Sequence, residues 1–275
     1  MSWRLILDGA RSGPDNMARD EVCLAAARES GLATLRLYGW EGPVLSVGRN
    51  QRLGGEINLA ACRAEGIPLV RRMTGGRGVL HGSDLTYAVA APTRGGRFAP
   101  GIMEVYREIS QVFVRFFQQL GHEPEVKAYS GGQRARMASP VCFATPSAFE
   151  ILIAGKKVVG SAQRLHPGGF LQHGSIPLYP QHALLARIFN ATDETEIQTQ
   201  MTDLETMGVW ERFTEEEVRL RLAGAFAEVL GIELEPTPWR EEEDAQVAAL
   251  MPAYAYLESE PAPRAGPPPS KGKRL

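Results

Sequence analysis

The sequence predicts an α+β fold, and three observations carry that expectation. Short apolar runs bounded by Gly, Pro, Asn or Asp mix with helical segments, without the strict strand–helix–strand alternation of a parallel α/β protein. One long stretch, Ile102 to Leu120, repeats its apolar residues at helical spacing, from Val105 and Ile109 to Val112, Phe113 and Phe116, and stops at Gly121. Three alternating runs, Phe149–Ile153, Lys157–Leu165 and Phe170–Leu178, are separated by Ala154-Gly155 and by His166-Pro167-Gly168-Gly169, which predicts an antiparallel meander.

The remaining elements follow in order. Trp3–Leu7 reads as a strand, and Gly13-Pro14-Asp15-Asn16 breaks the chain ahead of a helix over Met17–Glu29. Strands are expected at Thr34–Tyr38 and Val44–Gly48, then a short helix at Asn58–Ala64 that stops at Gly66. The strands Ile67–Arg71 and Leu85–Ala91 flank a glycine-rich loop. Past Tyr179 the chain turns helical, near Ile197–Met207, after Thr214 and Glu217 at capping-box spacing, and over Arg240–Leu250. Pro261 to Leu275 holds Arg264, Lys271, Lys273 and Arg274, no acid, and almost no large apolar residue. Such a segment cannot bury enough surface to offset its ordering. We therefore expect one domain over 1–250 and a Pro-rich, basic, disordered tail over 251–275.

Of 275 residues, 44% are hydrophobic and 23% charged, with a net charge of −2, which describes an ordinary globular protein and argues against bulk nucleic-acid binding. No apolar run approaches the roughly 18 residues that span a bilayer, and the start is too weakly apolar for a signal peptide, so a cytoplasmic location is expected. Cys23, Cys62 and Cys142 are widely spaced, with neither a CxxC pair nor a metal-type cluster. Cys23 and Cys62 sit among small apolar neighbours in helix-like segments and read as packing residues. Cys142 lies between two prolines, ahead of a hairpin that ends in Lys156-Lys157. A hairpin can bring thiol and ammonium together, and a nearby cation stabilises the nucleophilic thiolate. Strand alternation puts the two lysines on opposite faces.

The loop Arg71-Arg72-Met73-Thr74-Gly75-Gly76-Arg77-Gly78-Val79-Leu80-His81 lets the backbone bend sharply, and its amides can cradle an anion or a carbonyl oxygen. Arg71, Arg72 and Arg77 would make its mouth positive, and His81 would bond a substrate or a structural group. A tight inter-strand turn with solvated arginines accounts for the same residues equally well. Neither a Walker loop nor a dinucleotide fingerprint is present.

Three segments resemble the biotin/lipoate protein ligase catalytic-domain family. Arg71-Arg72-x-Thr74-Gly75-Gly76 with His81 and Asp84-Leu85-Thr86-Tyr87 is similar to its first signature, Lys157-Val158-Val159-Gly160-Ser161-Ala162-Gln163 to its second, and Gln172-His173-Gly174-Ser175 to the strand motif that closes its pocket. The resemblance covers Trp3 to about Ala249. It implies mixed, largely antiparallel sheets with flanking helices, and substrate binding by Arg71, Arg72, Thr74, Gly75, Gly76, Arg77, His81, Gly160, Ser161, Ala162, His173 and Gly174.

Within the family, Cys142-Phe143-Ala144-Thr145-Pro146-Ser147 resembles the cysteine-bearing octanoyltransferase branch. That branch implies an octanoyl thioester on Cys142, drawn from the phosphopantetheine arm of acyl carrier protein. Lys157 would lower the thiol pKa and orient the substrate. The acyl group would pass to a lysine of the glycine-cleavage H protein or another lipoyl domain, with no cofactor and no metal. Loop amides at Gly75-Gly76 or Gly160-Ser161 would stabilise the oxyanion. Val79, Leu80, Val158, Val159 and Phe170 would wall the acyl slot. Arg71, Arg72, Arg134, Arg136, Lys156 and Arg164 would steer acidic partners. An ATP-dependent lipoate ligase, an amidotransferase between lipoyl domains and a non-catalytic lipoyl-domain binder are the alternatives. Asp84, where ligases commonly carry asparagine, leans away from the ligase.

Overall fold

The computed structural model describes residues 2–95, 98, 101–128, 149–190 and 193–257. Cys142, Arg134, Arg136 and the stretch 261–275 lie outside the described residues.

β1 (Ser2–Arg11) leads into α1 (Gly13–Glu29), which the Ser12 hydroxyl caps by accepting from the Asp15 amide, with Pro14 in the first turn. β2 (Thr34–Trp40) returns parallel to β1. A small sheet follows, made of β3 (Val44–Val47), β4 (Leu69–Arg71) and β5 (Val79–His81), with α2 (Leu59–Ala64) between β3 and β4. The chain then re-enters the large sheet with β6 (Asp84–Pro92), antiparallel to β2, and crosses it with α3 (Ile102–Gln119). A third sheet holds β7 (Pro124–Ala128), β8 (Phe149–Ile153) and β9 (Lys156–Lys157). The hairpin of β10 (Gly160–His166) and β11 (Gly169–Pro177) pairs back onto β6. Last come α4 (His182–Ile188), α5 (Glu194–Gln200), α6 (Glu215–Leu230), β12 (Glu233–Pro236) and α7 (Glu241–Leu250).

The large sheet runs β10-β11-β6-β2-β1-β12. The pairings β1–β2, β1–β12 and β3–β4 are parallel and the other strand pairs antiparallel, so the mixed, largely antiparallel α+β architecture is as expected. Strand alternation divides the sheet's two faces. Leu35, Leu37, Tyr87, Val89 and Phe170 pack beneath Val105, Ile109, Val112 and Phe113 of α3 and Leu222 and Phe226 of α6. The opposite face presents Ile6, Tyr38, Ala88, Ala90 and Leu171 to Met17, Cys23, Leu24 and Ala27 of α1. The site lies on this second face.

Several elements differ from expectation. The first strand continues to Arg11, and α1 starts at Gly13, four residues earlier than read. The run Lys157–Leu165 divides between two sheets, because Val158 and Val159 are both buried and a two-faced strand cannot bury consecutive residues on one side. The helix expected to reach Met207 ends at Gln200; beyond it the Asp203 carboxylate accepts from the Thr206 amide and hydroxyl, closing a turn. β7 and β12, both with proline and charge, escaped the sequence reading. The folded body also continues past 250. Met251–Tyr254 forms a 3-10 turn, the Tyr254 hydroxyl donates to Glu21, and the Leu257 amide donates to the Leu69 carbonyl. Among the described residues no helix is long and apolar enough to cross a membrane.

Candidate active site

A narrow cavity of about 30 Å³ opens between α1, the small sheet and the β10–β11 hairpin. Arg72, His81, Gly160, Ser161, Ala162, His173 and Gly174, all singled out in the sequence, stand in its wall. So do Met17, Tyr38, Trp40 and Ser46, to which the sequence reading assigned no site role, and Thr86 and Ser175, which stand in the quoted signatures without one. Tyr38 and Trp40 carried a usable signal, since alternation places them on the sheet face opposite Leu35 and Leu37. Of the expected acyl-slot residues only Val79 lines this cavity. Leu80, with Val79, faces a second cavity of about 20 Å³ beside Leu185 and Met201, while Val158, Val159 and Phe170 belong to the core under α3.

The loop arginines do not form the expected cationic mouth. The buried Arg72 guanidinium donates through Nη1 to the Ser46 carbonyl at 3.0 Å, and through Nη2 to the carbonyls of Gly75 at 2.8 Å and Arg77 at 2.7 Å. Arg71 Nη1 donates to the carbonyls of Gly48 and Gln51, both at 2.7 Å. Arg77 is ion-paired with Glu56. Arg71 and Arg72 hold backbone carbonyls that a sequence window does not display. In a trans peptide N–H and C=O point oppositely, so carbonyls fixed on Arg72 turn the Gly76 and Gly78 amides away from it. The loop also needs Gly48, where a Cβ would meet the Gly76 carbonyl oxygen at 2.0 Å, and Gly76 itself, whose φ is +94°.

Two histidines sit in similar hydroxyl–imidazole–carboxylate chains. Ser46 Oγ lies 2.8 Å from His81 Nε2, and His81 Nδ1 lies 2.8 Å from Asp84 Oδ2. The Trp40 indole stacks on His81 at 3.9 Å. Burial would raise the Asp84 carboxyl, but His81 and the Ser175 and Thr86 hydroxyls hold it below the usual carboxylate range. Thr74 Oγ1 lies 2.7 Å from His173 Nε2, and His173 Nδ1 lies 2.7 Å from Asp20 Oδ2. Asp20 in turn accepts from the Tyr38 hydroxyl at 3.0 Å and from Arg36 Nη1 at 2.9 Å. Arg36, fully buried, also reaches Asp8 at 2.7 Å. Burial pushes Asp8 up, and Arg36 outweighs that and lowers it. Burial, reinforced by Asp20, pushes the Tyr38 hydroxyl well above its ordinary range.

In the third sheet, Leu152 pairs with Lys157, which places Glu150 diagonally across from that lysine on the same face. Lys157 Nζ donates to Glu150 Oε1 at 2.9 Å, with Lys157 only 2% and Glu150 9% exposed. Lys156, its neighbour, is half-buried. Glu150 went unnoticed in the sequence; its signal is a lone acid in an apolar strand that alternates with a lysine strand. Cys23 and Cys62 are both buried, and burial pushes the Cys23 thiol up to about 12, which is the behaviour of packing residues.

Residues 12–227 match the lipoyl protein ligase A/B catalytic domain. The chain is 39% identical over 269 residues to an octanoyltransferase LipM of Kyrpidia tusciae, covering 92% of this chain and 96% of that one. It is 38% identical over 267 residues to the octanoyltransferase LipM of Symbiobacterium thermophilum, covering 92% and 95%. In three dimensions it resembles lipoate-protein ligase A bound with ATP, with a TM-score of 0.77 at 21% identity over 92% of this chain and 95% of the other. A bipartite lipoate protein ligase of Thermoplasma acidophilum, solved in a study with its E2 lipoyl domain, gives 0.74 at 20% identity over 92% of each. The chain belongs to the lipoyl protein ligase A/B catalytic-domain family.

Proposed function

We propose that this enzyme is an octanoyltransferase of lipoate assembly that carries the acyl group as a thioester on Cys142. The observation that carries the reading is relatedness over nearly the whole length of both chains to proteins named for that activity. The segment that contains Cys142 leads directly into β8, whose Glu150 holds the buried Lys157.

Donor and acceptor follow from the chemistry. Octanoate arrives as a thioester on acyl carrier protein, Cys142 thiolate attacks the carbonyl, and the carrier thiol leaves. Neither ATP nor a cofactor is required, because one thioester replaces another. A lysine ε-amine on a lipoyl domain or the H protein then attacks, and amide formation is downhill. The description of a ligase of this fold with its E2 lipoyl domain supports that class of acceptor. Lys157 stabilises the Cys142 thiolate electrostatically. The Gly76 and Gly78 amides, turned outward by Arg72, serve as oxyanion donors, each worth roughly 2.7–4 kcal/mol if well aimed. Arg164 and Lys156 supply attraction for acidic partners, and the reaction takes place in the cytoplasm.

The test is transfer from octanoyl-acyl carrier protein to a purified lipoyl domain without ATP. Acceptor modification by the native chain and none by Cys142→Ala is the expected result. Modification that requires ATP and free lipoate would place the protein among the ligases instead.

A further inference from the structure

β3 ends at Val47, and the chain turns at once, with the Gln51 amide donating to the Gly48 carbonyl at 3.0 Å. Arg71, paired with Val47 from the neighbouring β4, fills the inside of this turn. Its Nη1 donates to the carbonyls of Gly48 and Gln51, both at 2.7 Å, and to that of Arg49 at 3.3 Å. A guanidinium that gathers three carbonyls fixes the backbone of the turn. The turn displays Arg49 and Arg52, both exposed, and neither has a hydrogen bond or an ion pair among the described residues. Neither drew notice in the sequence.

The turn is continuous with the rim of the cavity. The Arg49 amide donates to the Thr74 carbonyl at 2.8 Å, which zips the turn to the glycine-rich loop. Gly48 backs onto the Gly76 carbonyl, and a Cβ on Gly76 would lie 4.0 Å from the Ala162 Cβ in the cavity wall. Glu56, later in the same connection, is ion-paired with Arg77. Two uncommitted cations therefore stand beside a loop whose own Arg71 and Arg72 are turned onto backbone.

The octanoyltransferase reading, on which this inference rests, brings two proteins to the site in turn, and they differ in charge where they enter it. The donor's thioester hangs on an arm joined to its protein through a phosphodiester, a permanent anion. The acceptor presents a lysine, which is a cation at neutral pH. Unpaired guanidinium groups attract the first and repel the second, and their forked donors match the geometry of a phosphate. We propose that Arg49 and Arg52 are the docking site of the acyl donor, acyl carrier protein, and receive its phosphodiester and the carboxylates around it. The lipoyl domain does not use them. Arg71 is the positioning residue that holds the turn.

Steady-state transfer, with donor and acceptor varied in turn, tests this. Arg49→Gln/Arg52→Gln should lower kcat/KM for octanoyl-acyl carrier protein about tenfold at low salt, and leave kcat/KM for the lipoyl domain within about twofold of native. The loss should shrink as salt is added. Octanoyl-N-acetylcysteamine, a neutral thioester with neither phosphate nor protein, should serve the variant and the native chain equally. Arg94→Gln, which removes an exposed charge beyond the end of β6, should leave every one of these rates unchanged. An equal loss with the neutral thioester, a loss confined to the lipoyl domain, or no loss at all would each overturn the proposal. A native chain that transfers from no octanoyl thioester would refute the transferase reading and the docking site with it. A native chain that transfers, matched by its double variant on the carrier protein, would refute the docking site alone.

Discussion

The glycine-rich loop and the lysine hairpin both read as cationic, but the structure uses the two charges differently. In the loop, Arg72 and Arg71 donate to carbonyls of their own surroundings, and Arg77 pairs with Glu56. Arg71 and Arg72 thereby shape backbone. In the hairpin, one lysine on a two-residue strand is buried against a carboxylate, with Nζ 2.9 Å from Glu150 Oε1. A guanidinium has five donors in a rigid fork and can hold several carbonyls at once, whereas an ammonium is a compact point charge. Residue type therefore matches the two arrangements.

Substitutions at each region sharpen that contrast. The largest effect is expected at the hairpin. Lys157→Met removes the buried ammonium that donates to Glu150 and should cost about 3–5 kcal/mol in chemical denaturation, along with transfer activity. The double variant Lys157→Met/Glu150→Gln should recover most of that stability and none of the transfer. Recovery of both would remove the lysine from the chemistry.

Arg72→Ala comes next. It strips the Ser46, Gly75 and Arg77 carbonyls of a donor and should destabilise by about 3 kcal/mol, while Arg77→Ala, which breaks the partly exposed ion pair with Glu56, should cost under about 1 kcal/mol. Equal costs would return the arginines to the expected cationic mouth. Gly48→Ala probes loop position more gently. The fold should persist, and kcat/KM for transfer should fall by about a hundredfold as the Gly76 carbonyl is displaced. Cys62→Ala should matter least, lowering stability by about 1 kcal/mol with transfer kinetics unchanged; a large kinetic loss would contradict its assignment as packing.

Much of this was legible in the sequence because it is local. Alternation, turn residues and the capping box fix β8, β11 and α6, and the Gly75-Gly76 turn announces close backbone approach. The direction of the arginines was not legible, since their carbonyl partners have no side-chain identity. The Asp20–Arg36–Asp8 cluster was hidden for another reason. Its members lie 16 and 28 residues apart, and α1 buries Arg19 and Asp20 among apolar residues, so no helical stripe marks them. Glu150 was readable in principle, as the only acid in its strand, yet its significance depends on the β8–β9 register. The path from Trp239 through Glu243 to Tyr254, which ties the C-terminal segment to Asp8, Arg4 and Glu21, is likewise long-range. It moved the end of the folded body beyond the expected boundary.

The central claim is an acyl-enzyme on Cys142. Intact-protein mass spectrometry after mixing the purified chain with octanoyl-acyl carrier protein, in the absence of ATP, addresses it most directly, with Cys142→Ser run in parallel. The account predicts a hydroxylamine-labile octanoyl adduct on the native chain and none on the variant. No adduct on the native chain, with a lipoyl domain modified only once ATP and free lipoate are supplied, would contradict it.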